Sequence, residues 1–234
     1  MIHNLKYMKK IIVSIIILLS FNFKASSHVD HYQNYNYLEY ELFRNDKSIG
    51  YHKYNFIRDG KDLSIISEVS FKITKLGVDL YKYFAKSEEN YENSLFKSYS
   101  STTNQNNKEK YVNISVDPKD NNLIIDGSSY KGRGDKELIV GTWWNHEIVK
   151  ANGQISGISG RIIEQTVTFI GKEEIKIGDK IYKTLRFNFK SSDETLPDSK
   201  KLNTDIWYEE DTYLWVRAAF QKTGFWEYRL KTYK

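Results

Sequence analysis

KIYKTLRFNFK, residues 180–190, alternates along its whole length. Ile181, Leu185, Phe187 and Phe189 fall on one side of an extended chain, and Tyr182, Thr184, Arg186, Asn188 and Lys190 on the other. Period two marks a strand with one face buried, because successive side chains of an extended backbone point to opposite sides. WEYRLK, residues 226–231, repeats the pattern: Trp226, Tyr228 and Leu230 oppose Glu227, Arg229 and Lys231.

Turn residues separate such runs at hairpin spacing. Asp59-Gly60 and Gly178-Asp179 stand between alternating segments, and Asn121-Asn122, Asp126-Gly127 and Thr223-Gly224 act similarly. These residue types accept the positive φ that tight hairpins require. Pro118 and Pro197 are the only prolines, so few strands are forcibly interrupted. The spacing predicts about 11–13 strands from Tyr35 to Tyr233. KGRGDKE (131–137) and SSDETLPDSKK (191–201) read as exposed loops, and no linker divides the chain. The expectation is a mostly β domain over residues 28–234, a curved antiparallel sheet or open half-barrel.

GTWWNHEIVKANG, residues 141–153, departs from the pattern. Thr142 is a helix-capping residue type and Asn152-Gly153 a stop signal. Trp144, Ile148 and Ala151 share one face at helical spacing, which predicts a short helix near 142–151 whose Trp144 pins it to the sheet.

The first 27 residues read as an export signal. Lys6, Lys9 and Lys10 precede the apolar run IIVSIIILL (11–19), and Ala25 and Ser27 supply small residues for cleavage after Ser27. That run is shorter than the roughly 20 residues of a membrane-spanning helix. The alternative is an uncleaved anchor. Cleavage leaves no membrane span and places the mature protein in the periplasm. The whole chain has 35 basic and 30 acidic residues. Lys6, Lys9, Lys10 and Lys24 lie in the signal with no acid beside them, so the remainder is nearly neutral and offers nucleic acid no basic field. There is no cysteine, and the mature length suffices to bury a core without disulfides.

Four pieces occur in order: IGYHKYNF, then VSFKITKLGVDLYKYFAKSEENYENSLFKSYSSTT, then TWWNHEIVKANGQISG, then DIWYEEDTYLWVRAAFQKTGFWEYRL. Together they resemble a family of uncharacterised exported proteins of Gram-negative bacteria, a domain of unknown function, over roughly residues 36–232. The closing pattern is more remotely similar to the open half-barrel of periplasmic lipoprotein carriers. That resemblance implies a curled sheet around an apolar cavity, and it transfers no catalytic residue.

Among chemistry-bearing residues, His3 lies in the signal and His28 and His31 in the new N-terminal tail, leaving His52 and His146 in the folded region. His52 sits in an alternating strand and reads as a sheet-face residue. His146 beside Asn145 is the candidate centre of a hydrolase, without the strained turn that positions a nucleophile. With no cysteine and no histidine pair at ligand spacing, neither metal nor cofactor is expected. Glu209-Glu210-Asp211 fits a solvated turn, with calcium a weaker alternative. Trp215 falls opposite Leu214, Val216, Ala218 and Phe220, and Trp207 opposite Ile206 and Tyr208. Large aromatics on both faces point to one face in the core and another that is covered or lines a cavity. The candidate ligand-binding residues are therefore Trp143, Asn145, His146, Trp207 and Trp215. The expected occupant is an apolar or amphipathic small molecule or lipid, or an envelope protein partner. A scaffold or assembly factor and a His146 hydrolase are the competing readings.

Amino-terminal sequencing of the mature protein should begin at His28. An intact start at Met1 or Met8 in a membrane fraction would identify a retained anchor instead.

Overall fold

In the computed structural model, which describes residues 32–234, the stretch 180–190 lies in a strand, Lys180–Ser191. The expected export signal, residues 1–27, lies outside the described residues. Fifteen strands follow one another: β1 Tyr37–Arg44, β2 Lys47–Asp59, β3 Asp62–Lys75, β4 Val78–Glu92, β5 Leu95–Gln105, β6 Lys108–Val116, β7 Leu123–Gly127, β8 Lys131–Gly134, β9 Ile139–Val140, β10 Gly153–Ile155, β11 Ile162–Ile177, β12 Lys180–Ser191, β13 Asn203–Glu209, β14 Trp215–Lys222 and β15 Gly224–Tyr233. The count exceeds expectation because β8, β9 and β10 are only four, two and three residues long, too short to show alternation. β8 also occupies the start of the stretch 131–137, which the sequence presented as a loop.

The first and last strands are neighbours: β1 pairs antiparallel with β15, from Leu38 opposite Tyr233 to Arg44 opposite Trp226. One arm of the sheet runs outward from β1 through β8, and the other from β15 back through β9. β8 and β9 are therefore the two ends of one sheet, yet only residues 135–138 connect them. Such a link spans at most about 17 Å. Laid flat, fifteen strands would separate these ends by about 65–70 Å. The sheet must roll up.

The seam where it closes is visible in contacts between its distant ends. Ser129 N donates to Ser159 O at 2.9 Å, and the Tyr99 hydroxyl donates to Gly157 O at 3.0 Å. Gly127 packs so tightly there that a Cβ would stand 2.4 Å from Ser159 O. Val112, Ile114, Leu123 and Ile125 from one end meet Val140 and Ile155 from the other in a small core of their own. The larger core gathers Leu38, Tyr40, Tyr54, Phe56, Ile206, Tyr208 and Trp215 around Trp144 and Ile148.

On β12 the expected face holds from Leu185 to Phe189, which pair with Tyr208, Ile206 and Thr204. It fails at the hairpin end, where Ile181 is 62% exposed and Tyr182 is buried. Pairing with β13 ends at Thr184 opposite Glu209, so the tip of the β11–β12 hairpin overhangs the sheet.

The predicted helix is a 3-10 turn, His146–Lys150, and Asn145 rather than Thr142 caps it by accepting from Glu147 N. Thr142 is engaged elsewhere, its hydroxyl donating to Glu89 at 3.3 Å. Trp143 has φ 61°, outside the right-handed helical region. The segment makes the crossover between β9 and β10, the parallel pair, and the left-handed backbone at Trp143 keeps a regular helix from starting at Thr142. The shared face survives nonetheless: Trp144, Ile148 and Ala151 are all buried.

Trp144 is fully buried, edge-on to Tyr32 and Phe56, and its indole N–H donates to Glu89 at 2.9 Å. Trp144→Ala should cost roughly 3–5 kcal/mol by the emptied volume. It also removes a donor from a buried carboxyl. Urea midpoints of the variant and the parent protein measure the loss.

Candidate functional site

Interior positions of neighbouring strands meet in transverse rows, and two of these rows hold small side chains. Ser67, Ser87 and Ser101 stand opposite one another on β3, β4 and β5. Val69, Ala85 and Thr103 form the next row. Bulky rows flank both: Ile65, Glu89 and Tyr99 on one side, Phe71 and Tyr83 on the other. Rolling the sheet around two rows of small residues leaves space between its walls. A half-open cavity of about 300 Å³ occupies it, lined also by Phe220 and Tyr228 and by Thr142 and Trp143 of the crossover. Exposed Asn203 and Lys222 belong to its lining, so it reaches the surface on that side.

Trp143 is held in the cavity wall in a strained conformation. A left-handed backbone at a bulky residue costs of order 1–3 kcal/mol and persists only where its surroundings enforce it. Two tyrosines do so: Tyr54 donates to Thr142 O at 2.7 Å and Tyr208 to Trp143 O at 2.9 Å. The indole then lies edge-on to Trp215 and Tyr228, with ring centres 5.5 and 5.6 Å away. Its N–H is buried and has no hydrogen-bond partner among the described residues.

Trp215 stands behind Trp143 rather than in the lining. Strict alternation put it beside Arg217 on the face opposite Leu214 and Val216, the face expected to be covered or to line a cavity, but the ladder between β13 and β14 shifts register there. Trp207 pairs with Arg217, then Tyr208 with Trp215. The extra residue turns Trp215 inward, fully buried and stacked on Tyr40 at 4.0 Å. Trp207 stays on the other face, its N–H bonded to Glu173 at 2.5 Å and its ring beneath Arg186 and Arg217. Asn145 is consumed as the cap and lies 3.5 Å from the Tyr91 hydroxyl. His146 stacks on Tyr213 at 4.5 Å beside Glu147, outside the cavity lining. Of the five candidate residues only Trp143 lines the cavity.

His52, assigned from sequence to an ordinary sheet face, is a wall residue of the cavity. Its Nε2 lies 2.9 Å from Ser67 Oγ, its ring 4.2 Å from that of Tyr54. Burial pushes its pKa down to about 3. Glu89 follows exposed Glu88 in the chain, and strand alternation turns it inward, buried in the row beside the serines and outside the cavity lining. There it accepts from Tyr91, Trp144 and Thr142, and burial raises its pKa. Among the described residues no cluster of His, Cys, Asp and Glu could hold a metal ion.

Residues 40–231 match the family described as a domain of unknown function, DUF6134. The chain belongs to that family. Its ordered sequence pieces thus resemble a domain of unknown function for good reason. This DUF6134 domain is similar to a β-barrel-like protein of the domain of unknown function DUF1849 from Brucella abortus. The TM-score is 0.60 and the identity 8%, over 85% of this chain and 96% of that one. Such a likeness establishes a barrel-like fold and no more. A DUF1329 family protein from Desulfovibrio piger aligns over 88% of this chain and 89% of that one, at 10% identity and a TM-score of 0.23, which carries no argument. Among curated proteins none matches the chain.

His52 is neutral in the folded protein at pH values where an unfolded histidine, with pKa near 6.5, takes up a proton. A depressed folded pKa favours folding above the unfolded value, and this contribution is lost as pH falls toward about 3. Relative to His52→Gln, the parent protein should therefore lose stability below about pH 6, approaching ~1.4 kcal/mol per pH unit. Parallel denaturant midpoints across that range would show instead that His52 protonates in place.

Proposed function

We propose that this DUF6134 domain is an exported binding protein that holds an apolar or amphipathic small molecule inside its rolled sheet. The observation that carries this reading is the pair of small-residue rows, Ser67-Ser87-Ser101 and Val69-Ala85-Thr103. A sheet that needed only a packed core would fill these central interior positions with large aliphatic side chains, as it does at Ile65 and Ile114. The space left, about 300 Å³, lies at the lower end of the range of small-molecule sites.

Trp143 supports the same reading. Packing alone gives no reason to place an indole in left-handed backbone with an unmet donor, whereas strain of this kind concentrates where ligands bind. Phe220, Tyr228 and Trp143 supply flat apolar surface, and the serine row and Thr103 supply hydroxyls for an occasional polar group.

The test uses N-phenyl-1-naphthylamine, a neutral probe whose fluorescence rises in apolar surroundings. It should bind the mature protein saturably. Trp143→Ala should weaken binding several-fold with a smaller stability loss than Trp144→Ala. A second variant, Ser87→Leu, fills the cavity from its far wall and should abolish the signal while the protein stays folded. Absence of saturable binding by the parent protein, or binding indifferent to both variants, defeats the proposal.

A further inference from the structure

We propose that the cavity selects an amphipathic anion, an apolar chain bearing a carboxylate or phosphate head, and that the head is held between Arg161 and Lys222 at the cavity mouth. This rests on the cavity being the binding site.

The charge of the lining carries the inference. Lys86, Arg161, Lys201 and Lys222 line the cavity, and no aspartate or glutamate does. Two of the four are matched elsewhere: Lys86 lies 3.5 Å from Glu68 and Lys201 3.2 Å from Asp198. The other two are not. Arg161 Nη2 donates to Lys200 O at 3.1 Å, and Lys222 Nζ donates to Ser199 O at 3.3 Å. Among the described residues neither reaches a carboxylate. Their heads thus converge on consecutive carbonyls of one loop, which orient them without neutralising them.

Two like charges brought together in a partly covered site raise each other's free energy. Burial, and then the charge of Arg161, push the Lys222 pKa below the usual lysine value. An anion between the two relieves both effects, gaining the ion-pair strength of a site only partly open to water. The rest of the lining suits the other end of such a molecule. The lining also holds Leu202, Phe220, Ile163, Val69 and Ala85, which are apolar and carry no competing charge. Charge at the entrance and apolar surface within make an axis that a detergent-like anion matches end to end. A neutral hydrocarbon would use only the inner part.

The experiment measures displacement of bound N-phenyl-1-naphthylamine by decanoate, decyl phosphate and decan-1-ol, which share one chain and differ in the head. The parent protein should favour at least one anion over the alcohol by about tenfold at low salt, and added salt should shrink that preference. Decanoate and decyl phosphate distinguish the two head groups. In the double variant Arg161→Gln/Lys222→Gln the preference should vanish while decan-1-ol displaces as before. The charge-conserving double variant Arg161→Lys/Lys222→Arg should retain it, which separates loss of charge from loss of shape. Equal displacement by alcohol and anions, or a preference that survives removal of both charges, overturns the anion site and leaves the cavity reading standing. If the probe itself does not bind, the cavity reading fails and the anion site falls with it.

Discussion

The four residues between β8 and β9 constrain everything else in this molecule. They tie together the two ends of a fifteen-stranded sheet, and no flat or gently curved sheet could satisfy them. Rolling brings the β5–β7 face over β9 and β10, where two glycine-lined backbones touch and Tyr99 reaches Gly157. It also sets the first and last strands side by side in the middle of the sheet. The edges that a sheet of this size would expose become a seam, and that seam is where a single methyl group at Gly127 would meet a carbonyl.

Closure creates an inside, and side-chain size decides what fills it. Where Ile65 and Glu89 face inward the barrel is solid, with the Trp144 indole driven in beside them. One row further along, serines on three neighbouring strands leave the space empty. Packing and cavity are thus neighbouring stretches of one ladder, differing by the volume of a few side chains.

Trp143 and Trp144 divide along the same line. They are adjacent, yet the left-handed turn at Trp143 sends the two indoles into different surroundings. Trp144 is anchored by Glu89, a buried carboxyl whose raised pKa follows from its removal from water. Trp143 is held by its backbone, through tyrosine hydroxyls on Thr142 O and Trp143 O, which leaves its ring to shape the wall. An α-helix, the conformation that the apolar spacing suggested, would also have separated the two indoles, by about 100°, but the left-handed backbone at Trp143 does so without a helix. The spacing of Trp144, Ile148 and Ala151 was sound about burial and silent about backbone.

The sequence by itself determined the long strands, their antiparallel hairpins and the class of the fold. Alternation and turn chemistry are local, and they act whether or not distant strands have met. It also carried the family, through pieces whose order is visible without structure. The cavity was decided by tertiary structure alone. Ser67, Ser87 and Ser101 become neighbours only through the register of two hairpins, and each serine in isolation is an unremarkable strand residue. His52 needed the same register to be seen as a wall. Trp215 needed a one-residue slip between β13 and β14, which reverses its face and which no periodicity records. Arg161 and Lys222 lie 61 positions apart and meet because the rolled sheet carries both to one loop. Periodicity tells each residue which side of its own strand it is on; only pairing and closure tell it what stands across the space.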